Sequence, residues 1–224
     1  MRWCQQIVLL ATAGLTVVFC GAVFGFDDGD FQYWSGAGAS VNINKDWKAE
    51  FSEEFRFGNK GGNLYYQQSD IGLIYSGFAD WFDIGLNYGL VYEKDDKTDV
   101  WRRENRPHLN LTFKWKMWGL SLSDRNRFEY RDRQCAKNLW RYRNKFTIKT
   151  PWKLTAWQLQ PYVADEVFIN LDDEHFNRNR FYAGLSKEMG EKISMDVYYM
   201  RQSSRKHSDY TDYHVLGTAF KFKF

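Results

Sequence analysis

The chain has 224 residues, of which 19% are aromatic and 26% are charged, and its mean hydropathy is -0.61. A formal net charge of +3 lacks the basic excess of a nucleic-acid binder, so no nucleic-acid partner is expected. Large apolar side chains without a long apolar run after the first 25 residues indicate alternation, and only 3 prolines suit long, continuously hydrogen-bonded strands.

The N-terminus has the pattern of a secretory signal peptide. Basic Arg2 precedes the apolar run "IVLLATAGLTVVFCGAVFG", which ends abruptly at the acidic "DDGD". We predict a signal peptide over residues 1–25, cut before Phe26. Two alternatives remain at this stage: a membrane-anchoring helix over residues 7–25, and lipidation at Cys20.

The predicted mature chain, residues 26–224, forms one domain. Cleavage would leave Cys135 as its sole cysteine, so no internal disulfide is expected.

Segments of alternating polarity recur after residue 30. In "WFDIGLNYGLVY" (81–92), every second side chain from Phe82 to Tyr92 is apolar or aromatic, while Asp83, Gly85, Asn87 and Gly89 share the other face. A soluble β-sandwich also alternates, but these segments reach the 9 to 11 residues that cross a bilayer, and aromatic residues concentrate at their ends. We predict an all-β fold: a transmembrane, antiparallel up-and-down β-barrel. A direct count gives eleven strands, but bacterial barrels have even numbers, so we predict 10 or 12.

Connection lengths predict the orientation of the barrel. The short turns fall near 44–46, 78–80, 117–119, 150–152 and 188–192. The longer polar loops fall near 58–64, 94–104, 132–138, 172–178 and 203–210. Short turns are periplasmic and long loops extracellular in outer-membrane barrels, which would leave Phe224 at the periplasmic edge.

The chain ends in "GTAFKFKF", with Gly217 ahead of Phe220, Phe222 and Phe224. This ending resembles the C-terminal signal of bacterial outer-membrane barrels. The resemblance implies that the barrel assembly machinery reads the last strand during biogenesis.

A narrower resemblance spans residues 30 to 224. The segments "ENRPHLNLT" (104–112), "LSDRNRFEYR" (122–131), "WRYRNKFTIK" (140–149), "QPYVADEVFINL" (160–171) and "NRNRFYAGL" (177–185) resemble the family known as domain of unknown function 2490. The resemblance implies an outer-membrane barrel of a Gram-negative bacterium. It implies no activity and no functional residues.

The inward face is predicted to carry a charge network in the lumen. Its fourteen members are Glu50, Glu54, Arg56, Asp70, Asp83, Arg125, Arg127, Glu129, Arg141, Arg143, Glu166, Arg178, Arg180 and Asp196. They would either form ion pairs that seal a small barrel or line a narrow aqueous path that selects anions. The same assignment turns Asp124, Asn126 and Asp165 toward lipid, so we expect a β-bulge near them.

An outer-membrane lipid hydrolase is the alternative from another class. His214 points outward on the last strand, and Ser203, Ser204 and Ser208 lie in the adjoining predicted loop, but no GxSxG motif is present. The four histidines lack metal-ligand spacing, so neither metal nor cofactor is expected.

The sequence thus predicts a monomeric protein of the Gram-negative outer membrane that is not an enzyme. Its expected role is a small passive channel or a structural surface protein, in contact with outer-membrane lipids and lipopolysaccharide. Loop-mediated binding or adhesion is a further alternative.

Overall fold

The computed structural model describes residues 26–95, 98–172, 175–206 and 209–224. The predicted signal peptide, residues 1–25, lies outside the described residues, as does Ser208. Over the described ranges, no helix has the length and apolarity needed to cross a bilayer.

The chain forms eleven β-strands in sequence. They are β1 (Asp30–Asn42), β2 (Trp47–Gly58), β3 (Asn63–Ala79), β4 (Phe82–Lys94), β5 (Trp101–Met117), β6 (Leu120–Arg133), β7 (Leu139–Lys149), β8 (Gln160–Asn170), β9 (His175–Met189), β10 (Ile193–Lys206) and β11 (Asp209–Lys223). Each strand pairs with the next in antiparallel register, and β1 pairs with β11, so the sheet closes into a barrel.

The closing pair is parallel, with Trp34 opposite Gly217 and Ser35 opposite Thr218. Consecutive strands of an up-and-down barrel reverse direction, so the first and last strands of an odd-numbered barrel must run the same way. The prediction of 10 or 12 strands was therefore wrong, and so was the expectation of antiparallel pairing throughout. The direct count of eleven strands was right. The assumption that this barrel shares the even strand number of other bacterial barrels was the source of the error.

The strand ends define two rims. The turn rim holds the residues that follow the odd-numbered strands: 43–46, 80–81, 118–119, 150–159, 190–192 and Phe224. The loop rim holds residues 26–29 and the described residues of the connections after the even-numbered strands: 59–62, 95, 98–100, 134–138 and 171–172.

The predicted contrast in connection length was wrong in two places. The longest connection, residues 150–159, lies at the turn rim, where Leu154 and Leu159 form an isolated bridge. The predicted loop 203–210 is mostly strand, because β10 pairs with β11 from Ile193 to Lys206. Strand pairing continues through these polar residues because inward side chains there find partners, as Ser204 does with Arg178.

Side chains alternate between the barrel interior and its outer wall. On β4, Asp83 and Asn87 line the interior, while Leu86 between them is 66% exposed on the outer wall. Exposed apolar side chains recur around the circumference, among them Phe51, Ile71, Phe181 and Leu216. The outer wall is thus as apolar as the alternation indicated.

Apolar packing fills one side of the interior. A buried cluster joins Trp34 of β1 with Ala164, Tyr182, Met200 and Val215 of β8 to β11. The remainder of the interior is left to charged and polar side chains.

Glycines on β9 and β11 accommodate tyrosine rings from the strands beside them. A Cβ on Gly217 would lie 2.0 Å from Cζ of Tyr198, and a Cβ on Gly184 would lie 2.6 Å from Cζ of Tyr162. Gly217, predicted only as part of an assembly signal, therefore also has a packing role inside the barrel.

Candidate functional site in the barrel interior

All fourteen charged residues predicted for the lumen lie on the interior side of the wall. Eleven of them line one cavity; Glu129 and Arg141 are buried beside it, and Arg178 borders a smaller void nearer the loop rim. The structure adds the partners of each side chain, which period-two spacing does not specify.

Glu166 is the most heavily paired carboxylate of the network. It is 1% exposed, and its Oε1 accepts from Nη2 of Arg143 at 2.7 Å and from Nη2 of Arg125 at 3.0 Å. Its Oε2 accepts from the hydroxyl of Tyr182 at 3.0 Å and lies 3.5 Å from Nη1 of Arg180. Three guanidinium groups thus neutralise one buried carboxylate.

Glu129 is fully buried and joins the same network. Its Oε1 pairs with Arg141, and its Oε2 lies 3.5 Å from Nη1 of Arg143. Arg143 therefore bridges Glu129 and Glu166, and its planar fork suits this double role.

Sequence reasoning missed a second network near the loop rim. Glu104 accepts from Nε of Arg131 at 2.6 Å and from Nε of Arg106 at 2.8 Å, and Arg106 reaches the hydroxyl of Tyr66 at 3.2 Å. Glu104 was overlooked because residues 94–104 were taken as a loop, whereas β5 begins at Trp101. Continuing the period-two pattern back from Arg106 would have found it.

Aromatic rings and guanidinium groups alternate across the interior in what we call the cross-lumen stack. Cζ of Arg56 lies 3.8 Å from the ring centroids of both Tyr66 and Trp34. Cζ of Arg180 lies 4.8 Å from the ring of Trp34 and 4.7 Å from that of Phe168. The stack runs from β3 to β8, which stand on opposite sides of an eleven-stranded barrel.

Free space differs sharply on the two sides of this stack. The void that Tyr66, Arg56, Arg180 and Phe168 border measures about 40 Å³. The cavity that extends to Lys48, Asp83 and Lys221 at the turn rim measures about 560 Å³. We call the larger space the turn-side cavity.

Cations are concentrated on one part of the wall of the turn-side cavity. Strands β6 and β7 contribute four cations and no carboxylate to its lining, Arg125, Arg127, Arg143 and Lys145. Strands β2 to β4 contribute four carboxylates, Glu50, Glu54, Asp70 and Asp83, together with Lys48 and Arg56. The even count of arginines and carboxylates in the sequence concealed this arrangement.

The carboxylates at the turn-rim end of the cavity have lysine partners. Lys48 pairs with Glu50 at 2.5 Å, Lys114 with Asp83 at 2.9 Å and Lys221 with Asp196 at 2.8 Å. All three lysines are more than one-third exposed, so these pairs add little stability.

Asp70 lies deeper and contacts neutral donors. It accepts from Nε2 of Gln68 at 3.2 Å and from Nδ2 of Asn87 at 3.4 Å. Nε2 of His108 lies 3.7 Å away, beyond hydrogen-bond distance, and is buried without a partner.

A polar patch interrupts the apolar outer wall, and we call it the outer polar patch. Its members are Asp124, Asn126, Asn144, Asp165 and Asn179. Asp124 accepts from Asn126 at 3.1 Å and from Asn144 at 2.5 Å, and Asp165 accepts from Asn179 at 2.9 Å.

The expected β-bulge near this patch was wrong. The registers of β6 with β7 and of β7 with β8 run without a shift, and the one shift between β8 and β9 falls at Phe168/Ile169. Mutual hydrogen bonds, and not a turned strand, accommodate these polar groups on the outer wall.

The candidate hydrolase residues do not meet as a catalytic pair within the described chain. Ser203 and Ser204 lie in β10 and not in a loop, and Ser204 points inward, where its Oγ accepts from Nε of Arg178 at 3.1 Å. Nδ1 of His214 lies 2.5 Å from the hydroxyl of Tyr199. Among the described residues, no three His, Cys, Asp or Glu side chains are grouped to hold a metal.

The C-terminal residues follow the alternation of β11. Phe220 and Phe224 are exposed on the outside, whereas Lys221 turns inward to Asp196. The backbone carbonyl of Phe224 accepts from the amide of Asn42, which ties the chain end to β1.

Comparison with known proteins returned one family. The family described as "Protein of unknown function (DUF2490)" matches residues 31–214. No curated protein and no solved structure matches the chain. Because the match covers β1 to β10 and the first part of β11, and therefore most of the barrel, the chain belongs to the family Protein of unknown function (DUF2490).

Proposed function

We propose that this protein spans the outer membrane of a Gram-negative bacterium as a closed barrel, a structural surface protein and not an open passive channel. Support for the membrane comes from the outer wall, where exposed apolar side chains follow the whole circumference. Aromatic residues also mark both ends of the wall, as with Trp47 and Tyr75 near the turn rim and Tyr130 and Trp140 near the loop rim.

The cross-lumen stack is the observation that carries the closed state. Beside it the free space is about 40 Å³, which holds about three water molecules at the 10–15 Å³ that each requires. An ion crossing this level would have to shed most of its hydration shell among groups that already neutralise one another. Such a step is costly in a low-dielectric interior.

The surrounding ion pairs hold the stack in place. Arg180 contacts Glu166 and donates from Nε to Gln202 at 2.7 Å, while Arg56 pairs with Glu54 at 2.5 Å. Moving either guanidinium aside would leave a carboxylate or an amide unpaired, so the stack resists opening.

As a monomeric barrel, the protein would contact outer-membrane lipids and lipopolysaccharide through its outer wall. Its last strand, with Gly217, Phe220, Phe222 and Phe224, would be the segment that the barrel assembly machinery reads.

Single-channel conductance of refolded residues 26–224 in a planar bilayer tests the closed state. We expect no discrete openings from the wild type under a KCl gradient. Trp34→Ala removes the middle ring of the stack and should produce openings. Trp118→Ala, at a turn-rim residue that is 87% exposed, is the matched control and should stay silent.

Discrete openings from the wild type would overturn the proposal in favour of a channel. A Trp34→Ala barrel that is folded and silent would show that the stack is not the barrier. Heat-dependent migration in detergent gels confirms folding of each variant before measurement.

A further inference from the structure

Four cations lie side by side on the inner faces of β6 and β7, and we call them the cationic quartet. Arg125 is the register partner of Lys145, and Arg127 is the register partner of Arg143. All four line the turn-side cavity. Like charges directly opposite each other in a sheet are destabilising, so this arrangement requires compensation.

The charges around the quartet compensate it only in part. Arg143 is matched by Glu129 and Glu166, and Arg125 reaches Glu166 with one nitrogen while its Nε is buried without a hydrogen-bond partner. Two carboxylates therefore serve the quartet, and Glu166 is also shared with a cation outside it, Arg180.

The direct contacts of Arg127 and Lys145 are with neutral groups, although Lys145 lies opposite Glu166 in register, a carboxylate that Arg143 and Arg125 already hold. Nε of Arg127 donates to Oδ1 of Asn110 at 2.8 Å, and Nζ of Lys145 lies 3.9 Å from the ring centroid of Tyr182. Within the part of the chain that the structure describes, neither cation forms an ion pair with a carboxylate. A half-buried cation that has no ion-pair partner of its own is costly, and an anion in the cavity would lower that cost.

The cavity offers the room and the approach. Its volume of about 560 Å³ accommodates a small molecule, and Lys48 and Lys221 line it at the turn rim, so entry does not require passage through the cross-lumen stack. The carboxylates Glu54 and Asp70 on the facing wall would repel a second anionic group. The site therefore suits a ligand with one anionic end.

We propose that the cationic quartet binds a phosphate group, either as free phosphate or as the anionic end of a small phosphomonoester. Arginine forks pair with phosphate oxygens in bidentate fashion, and lysine contributes a point charge. Arg125, Arg127 and Lys145 supply the donors, while Arg143 remains committed to Glu129 and Glu166. This inference concerns the interior wall alone and does not depend on membrane location or on whether the barrel conducts.

Binding of inorganic phosphate to the folded barrel in a phosphate-free, uncharged detergent tests the inference. We expect saturable binding to one site by equilibrium dialysis with radiolabelled phosphate, weakened by added NaCl. Arg127→Gln and Lys145→Gln should each lower the affinity at least 10-fold. Arg178→Gln is the matched control, because Arg178 likewise forms no ion pair with a carboxylate among the described residues but borders the void beyond the stack.

A second arm uses glycerol phosphate as the competitor of labelled phosphate. Displacement at lower concentration than unlabelled phosphate would identify a phosphomonoester as the better ligand, and weaker displacement would identify free phosphate. Either result supports a phosphate site.

Thermal unfolding gives a second readout. Phosphate should raise Tm relative to chloride at equal ionic strength, and by more in the wild type than in Arg127→Gln, because a ligand that binds only the folded state stabilises it, whereas the general effect of phosphate salts acts on both proteins. Absence of saturable binding, an equal Tm in the two salts, or an equal loss of affinity in Arg178→Gln would overturn the inference.

Discussion

At the scale of single residues, burial decides which charges matter for stability. Glu129 is fully buried between Arg141 and Arg143, whereas Glu50 pairs with Lys48 at a half-exposed position near the turn rim. Removing one partner of a buried ion pair leaves a charge without compensation, while an exposed pair is largely replaced by water. The stability of the barrel should therefore depend strongly on the charge of Glu129 and weakly on that of Glu50, although both side chains face inward.

We expect Glu129→Gln to lower the free energy of unfolding by about 3 to 5 kcal/mol. Glu50→Gln should lower it by about 1 kcal/mol or less. Urea unfolding of both variants in lipid vesicles, followed by tryptophan fluorescence, measures the two losses. Equal losses would contradict the importance of the buried network.

For single residues, the sequence predicted which side chains face inward but not which partners they contact. Period-two alternation is enough to predict an inward position, because successive side chains of a strand point to opposite faces. It does not predict partners: Arg125 and Glu166 lie on strands separated by β7, and their contact depends on the curvature of the closed wall. Glu104 was missed because residues 94–104 were assigned to a loop, and Arg131 was left out of the predicted network although the segment 122–131 included it.

At the scale of strands, the seam between β1 and β11 is the most informative element. Parallel closure with Ser35 opposite Thr218 is specific to an odd number of strands in this register. Both side chains lie on the outer wall, since the interior positions of these strands are those of Trp34 and Gly217. A covalent link across the seam can therefore report the topology directly.

We expect Ser35→Cys with Thr218→Cys to form a disulfide on mild oxidation, in a Cys135→Ser background. Neighbouring strands lie about 4.8 Å apart, within disulfide range. In the control pair, Ser35→Cys with Leu216→Cys, the second cysteine is two positions away and roughly 8 Å distant, beyond the limit of about 7 Å. Mass spectrometry of the unreduced chain distinguishes them, and equal linkage in the two pairs would refute the register.

Strand ends and irregularities were the least predictable features at this scale. The pattern located every strand, but polarity alone was read as a loop at 203–210, where inward side chains meet polar partners. The sequence predicted that polar residues of the outer polar patch would face lipid, but the β-bulge expected near them was wrong. A single sequence does not indicate that Asp124 and Asn144 satisfy each other across two strands.

At the scale of the whole molecule, the alternating pattern indicated both the class of fold and, by direct count, eleven strands. Closure was predicted because a sheet with one apolar face and long strands has no stable open edge in lipid. The prediction of 10 or 12 strands was wrong because an even number, typical of bacterial barrels, was preferred to the eleven segments counted in this sequence. The concentration of cations on β6 and β7 appears only once the lining of the interior is known.

The proposed position in the membrane predicts a contrast between two labelling sites. A nitroxide on Leu86→Cys, in a Cys135→Ser background, should be accessible to oxygen dissolved in lipid and shielded from a water-soluble relaxation agent. The same label on native Cys135, exposed in the connection at 134–138, should show the reverse. Power-saturation electron paramagnetic resonance in vesicles measures both, and equal access of the aqueous agent at the two sites would exclude a lipid-facing wall at Leu86.

An odd number of strands also determines the sidedness of the chain. β1 begins at the loop rim and β11 ends at the turn rim, whereas an even-stranded barrel returns both ends to one rim. A bilayer around this barrel would therefore place a tag ahead of Phe26 and a tag after Phe224 in different compartments. Insertion from one side would require translocation of one end of the chain across the bilayer during assembly.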